Sequence, residues 1–185
     1  MAVITWIVVA LGLVVGAVVV AARHAARIAP PLPVPPGEKV PTTPMQRLVG
    51  WSLALGLILA VAGGTLVAWF GPDAYGDNDA IRLTVTGLLL ASLLVLVAPQ
   101  LFASVWADRD GRRIDERDRG ILAQAPTSQA AAMLVVLAVW MIALSESFWG
   151  EPGIPAVYLY LTFWSCLLVS LVAWNVGALI GYRRT

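Results

Sequence analysis

Residues 48–70 read LVGWSLALGLILAVAGGTLVAWF, 23 consecutive positions without a charged side chain. A helix of that length rises about 34 Å, enough to cross the ~30 Å hydrocarbon core of a bilayer. Its edges are marked by Arg47 before it and Gly71-Pro72-Asp73 after it. Four further stretches repeat the pattern, at 2–22, 83–107, 129–149 and 155–180. The stretch 83–107 contains Pro99-Gln100, a break that a membrane helix tolerates when neighbouring helices satisfy the freed carbonyl. Between the last two stretches, Gly150-Glu151-Pro152-Gly153 breaks helices and predicts a tight hairpin. No charge precedes the first stretch, whereas Arg23, His24 and Arg27 follow it at once. A cleavable leader carries its positive charge in front, so this stretch predicts an uncleaved anchor inserted with its N-terminus outside.

Composition agrees with the bilayer. Of 185 residues 59% are apolar and 12% charged, against roughly 45–50% and 25% in soluble domains. The net charge of +1 leaves no basic field for nucleic acid. Sorting the basic residues by the loops between spans puts Arg23, Arg27, Lys39, Arg47, Arg109, Arg112, Arg113, Arg117, Arg119, Arg183 and Arg184 on one side and Arg82 alone on the other. Basic loops mark the cytoplasmic side. The expected fold is therefore an all-α integral membrane bundle of five transmembrane helices, N-terminus out and C-terminus in, with Asp73, Asp77, Asp79 and Glu151 on the outer face. Residues 1–28 form an N-terminal anchor helix, 29–46 a cytoplasmic linker and 47–185 a four-helix domain whose charged cytoplasmic loop covers 108–128. Trp6, Trp51, Trp69, Trp106 and Trp149 stand near span ends, where indoles favour the headgroup region, while Trp140, Trp164 and Trp174 lie deeper as packing or lipid-facing residues.

The linker holds seven of the twelve prolines, Pro30, Pro31, Pro33, Pro35, Pro36, Pro41 and Pro44, and so reads as an extended polyproline spacer, with a docking strip as the rival reading. The loop segment 108–119 carries five acids and five arginines. Arg112 with Glu116 and Asp115 with Arg119 stand at i,i+4, and Ile114, Ile121 and Leu122 can share one face. A short surface helix with a solvated, self-neutralising charged face is expected. The run Asp115-Glu116-Arg117-Asp118-Arg119 after two spans, followed by two more that end in Tyr182-Arg183-Arg184, resembles a family of small bacterial four-helix membrane proteins of unknown function. That resemblance covers about residues 47–184 and leaves the first helix and linker as an addition. It implies a four-helix membrane domain in the bacterial cytoplasmic membrane, and no activity.

Catalytic chemistry finds little material. Cys166 is the single cysteine and lies in an apolar run; His24 is the single histidine and lies past the end of the first span, off the membrane depth at which haem is usually held. No metal or cofactor and no soluble substrate is expected. Glu146, beside Ser145 and Ser147, is the one clear ionisable group within a span, about one turn from the outer end, and reads as a wet interfacial carboxylate or an interhelical hydrogen bond ahead of a proton or ion site. Gln100 and Asn175 read as interhelical hydrogen-bonding groups. Small residues recur at four-residue spacing: Gly12 and Gly16 in the first span, Gly56, Ala60 and Gly64 in the second, Ala173, Gly177 and Gly181 in the fifth. Such rows let membrane helices approach closely. The expected function is a non-catalytic membrane subunit that contacts lipid and other integral membrane subunits, its first helix packing on a neighbouring chain, in a larger respiratory or photosynthetic assembly. The rival is a stand-alone transporter, immunity or sensor protein built around Glu146, Asp77 and Asp79.

Overall fold

The computed structural model describes residues 42–109 and 116–184, all of whose regular structure is helical. The four helices are α1 (Pro44–Asp77), α2 (Asp79–Arg109), α3 (Glu116–Ser147) and α4 (Ala156–Arg184). Each contains a segment long and apolar enough to cross a membrane. They correspond to the second to fifth apolar stretches. The first stretch, with Gly12, Gly16 and His24, and the linker up to Pro41 lie outside the described residues, as do Arg112, Arg113 and Asp115.

Local chemistry sets the helix ends. Thr43 caps α1, its hydroxyl accepting from the Gln46 amide at 3.1 Å, and Pro44 occupies the first turn, where a missing N–H costs nothing. Gly71 (φ 86°, ψ 161°) breaks α1, and Pro72 opens a further short helical segment to Asp77. The stretch 71–82 is thus not a loop as the sequence suggested. Asn78 alone joins the two helices: its amide donates to Ala74 O at 3.0 Å, and its Oδ1 accepts from the amides of Ala80 (3.0 Å) and Ile81 (3.3 Å). Within 108–128, helix α3 begins at Glu116 and runs through Pro126 without a stop, so 116–128 is helical and continuous with the fourth apolar stretch. At the far hairpin Gly150 (φ 87°) makes the turn, and Phe148 packs edge-on against Tyr158 with ring centroids 5.1 Å apart.

Helix α4 is the hub. Its most apolar window is 39% buried within the protein, against 11% for α1, and it packs on all three other helices. Helix α1 runs along α2, and α3 runs along α4. One core cluster joins Met45 and Val49 of α1, Ile121 and Ala125 of α3, and Trp174, Ala178 and Tyr182 of α4. A second joins Tyr75, Val85, Leu89, Leu96, Trp164, Leu168 and Leu171; a third, between α3 and α4, holds Ala132, Val136, Cys166 and Ala173. The outward faces stay apolar, with Trp51, Ile58, Trp69, Leu134, Met141 and Trp149 all well exposed. Surfaces of that kind face hydrocarbon and headgroups rather than water.

Close approach rests on glycine where helices cross. A Cβ on Gly56 would lie 2.5 Å from Leu96 Cγ, one on Gly63 would lie 3.0 Å from Leu89 Cδ2, and one on Gly181 would lie 2.6 Å from Ile121 Cγ2. On Gly177 it would run into Ser128 Oγ, beside the fully buried Ala173. In α1 the row is Ser52, Gly56 and Gly63, with Ala60 half-buried against the core, and Gly64 is exposed with nothing within 4 Å of a Cβ. At about 100° per residue, seven positions return to within ~20° of the starting face whereas eight drift ~80° away. The four-residue reading of that row therefore overshoots by one residue.

Candidate functional site

Two polar sites lie inside the helix packing. The first sits at the end of the bundle where α1 and α3 begin and α4 finishes. Asp118 is 1% exposed. Its Oδ1 accepts from the Tyr182 hydroxyl at 2.6 Å and from the Thr43 hydroxyl at 3.0 Å. Because Thr43 also receives the Gln46 amide, its hydroxyl works as donor and acceptor at once. Arg117 donates to the Tyr182 carbonyl at 3.3 Å, and its guanidinium carbon lies 5.9 Å from the Tyr182 ring centroid. Next to this knot the exposed Arg47 donates to Thr42 Oγ1 at 3.2 Å, and Arg119 and Arg183 are exposed.

The two short motifs read from the sequence therefore meet in space: Asp118 of the acidic-arginine run and Tyr182 of the C-terminal run, 64 positions apart, share a hydrogen bond. Asp118, expected on a solvated face, is buried instead. A signal for this exists in the sequence. Ile114, Asp118 and Ile121 are spaced i, i+4, i+7, so whichever face carries the two isoleucines carries the carboxylate too. A buried carboxylate needs donors to offset its lost hydration, and here hydroxyls from two other helices provide them.

The second site surrounds Pro99, which is fully buried in α2. A proline at 99 cannot donate to the carbonyl of Val95 one turn earlier. The Ser52 hydroxyl of α1 fills that carbonyl at 2.6 Å. Ser92 returns a bond in the opposite direction, to Gly56 O at 2.8 Å. From α4, Asn175 Nδ2 donates to Leu96 O at 3.0 Å and to Leu171 O at 2.9 Å. Thus each of α1 and α4 is stitched to the α2 backbone at the break. Asn175 Oδ1 and Gln100 Nε2 are buried there with no partner among the described residues. In the same condition is Trp164 Nε1, while Trp140 Nε1 reaches Ser165 at 2.6 Å.

The remaining candidates stay apart. Glu146 is exposed at the far end of α3, and Ser145 turns back on Ile142 O at 3.0 Å. Asp79 pairs with Arg82 at 2.5 Å on the exposed start of α2, and Arg82 also reaches Gly76 O at 3.2 Å. Asp73 and Asp77 are exposed. Among the described residues no three His, Cys, Asp or Glu side chains gather where they could share a metal ion. A shallow apolar notch of about 180 Å³ lies beside the Gly71 break, lined by Leu66, Phe70, Ala80, Ile81 and Thr84.

The length and apolarity of the four helices give the chain the make-up of a multi-pass helical membrane protein. Compared with known proteins, no family model, no curated protein and no solved structure matches it. The resemblance carried by Asp115–Arg119 and Tyr182–Arg184 rests on those residues alone.

Proposed function

We propose that this chain is a non-catalytic subunit of a larger assembly in the bacterial cytoplasmic membrane, with its arginine-rich end in the cytoplasm. The observation that carries the reading is how the internal polar groups are used. Ser52, Ser92, Ser128 and Asn175 all donate to backbone carbonyls of a neighbouring helix, and Asp118 receives hydroxyls from two more elements. Polarity inside the bundle is spent on holding helices together. The outward faces, by contrast, are apolar and carry Gly64 and Gly87 with open space in front of them. Among the described residues nothing requires glycine at those two positions, and small outward residues are how membrane helices admit a neighbour at close range.

The test is the size and content of the assembly. Extracted from its native membrane in mild detergent, the tagged chain should migrate in one defined complex much larger than itself, with other integral membrane proteins in fixed ratio by mass spectrometry. A monomer or small homo-oligomer without companions overturns the proposal and favours the stand-alone reading. The Gly64→Leu, Gly87→Leu double variant should accumulate in the membrane normally yet lose the large complex.

A further inference from the structure

We infer that the arginine-rich end of the bundle is a docking surface for anionic phospholipid, with Arg47, Arg119 and Arg183 receiving the headgroup phosphates. Each of these arginines belongs to a different helix, and the hydrogen bonds at Asp118 gather the three helix ends. Arg119 directly follows Asp118. Arg183 directly follows Tyr182, whose hydroxyl donates to Asp118 Oδ1 at 2.6 Å. Arg47 donates to Thr42 Oγ1 at 3.2 Å, beside Thr43, whose hydroxyl donates to that same Oδ1 at 3.0 Å. All three arginines are exposed, whereas the carboxylate they surround is buried. Among the described residues none of the three pairs with a carboxylate; the ion pair there is Arg82 with Asp79, at the opposite end of the bundle.

The surface beside Arg47 says which kind of anion fits. Arg47, Trp51, Leu55 and Ile58 are spaced i, i+4, i+8, i+11 and so share one face of α1. That face is open, with Trp51 76% exposed and Leu55 and Ile58 exposed beyond it. Guanidinium, indole and aliphatic side chains follow one another in the order of a phospholipid's phosphate, interfacial region and acyl chain. A guanidinium fork matches phosphate oxygens with paired hydrogen bonds. A soluble acidic segment would meet the arginines alone and leave the stripe from Trp51 to Ile58 without a counterpart. The inference rests on the membrane placement proposed above and not on the presence of companion subunits.

Native mass spectrometry of the full chain tests this, after removal of co-purified lipid in detergent and titration with phosphatidylglycerol or phosphatidylcholine of the same acyl chains. Attraction of one arginine to anionic lipid corresponds to roughly a fivefold gain in affinity. A phosphatidylglycerol that engages one or two arginines should therefore bind the parent about 5- to 25-fold more tightly than phosphatidylcholine does. The Arg47→Gln, Arg119→Gln, Arg183→Gln triple variant should bind the two lipids alike, and Arg82→Gln should keep the parent's preference. Equal affinity of the parent for both lipids overturns the inference, without need of any variant, and fits arginines neutralised by acids of the 108–116 segment or reserved for an acidic protein. A preference that survives the triple variant overturns it too. Displacement of phosphatidylglycerol by millimolar inorganic phosphate, beyond that by chloride of equal ionic strength, marks a site for the free anion and overturns the lipid assignment. Because the chain is measured alone, the outcome stands apart from whether a large complex is found.

Discussion

Replacing Tyr182 with Phe removes one oxygen and leaves the ring to pack against Met45, Val49, Ile121 and Ala178. The lost atom donates to Asp118 at 2.6 Å, where the carboxylate is 1% exposed and keeps the Thr43 hydroxyl at 3.0 Å. A hydrogen bond to a charged buried group contributes about 1.5–3 kcal/mol, more than a neutral bond, because the acceptor cannot recover water. For a domain of this size 1 kcal/mol corresponds to roughly 2–4 °C in the unfolding midpoint. Tyr182→Phe should therefore fall by about 3–12 °C, read as the temperature at which half the protein leaves the monodisperse peak after heating in detergent. Asp118→Asn separates charge from geometry: it keeps an acceptor at the same place, so Tyr182→Phe should cost less in that background, nearer the ~1 kcal/mol of a neutral bond. Two results refute the reasoning. A Tyr182→Phe chain as stable as the parent means that the hydroxyl is replaceable by solvent. An equal cost in both backgrounds means that the carboxylate charge plays no part.

Ser52→Ala should destabilise by about 0.6–1.7 kcal/mol, as interhelical hydrogen bonds in membranes do, because Val95 O loses its donor; in a Pro99→Ala background, where the backbone amide at 99 can refill that carbonyl, the same substitution should be nearly silent in the same heating assay. Gly56→Ala should cost about 1–3 kcal/mol by overpacking, since the added Cβ falls 2.5 Å from the fully buried Leu96, whereas Gly64→Ala in the isolated chain should be neutral or slightly stabilising by the same melt. For orientation, single cysteines at Val40 and Asp77 in a Cys166→Ala background should be labelled from opposite membrane faces, Val40 from the cytoplasm; labelling of both from one face rejects the assignment of α1 as a span.

The four described helices were legible in the sequence because hydrocarbon imposes a length: 23 uncharged residues at 48–70 need no knowledge of their neighbours to be read as long and apolar enough to cross. The ends were less legible, because Gly71-Pro72 and Pro126 are strong stop signals whose effect depends on what stands beside them. Gly71 does leave helical geometry, yet Pro72 is a good first residue for the next turn, and the chain re-enters a helix at once. Pro126 sits two residues before Ser128, whose hydroxyl ties α3 to Ala173 O of α4 at 3.0 Å, so the helix is supported by its neighbour where its own ladder is weakest. The Pro99 break was foreseen with the requirement that a neighbour fill the freed carbonyl, but that the neighbour is Ser52, 43 positions upstream, follows from packing alone.

Asp118 shows why the site was harder to read than the fold. In a segment of five acids and five arginines the economical reading is mutual neutralisation in water, and that reading weighs charges by proximity along the helix. Burial is decided by face, and Asp118 lies three positions before Ile121, which is buried as it is. Hydroxyls on the two elements packed against that face reach the carboxylate. That is the arrangement found, with Thr43 at the entrance of α1 and Tyr182 at the exit of α4. The knot consequently fastens three chain segments to one atom. It couples the start of α1 to the last turn of α4.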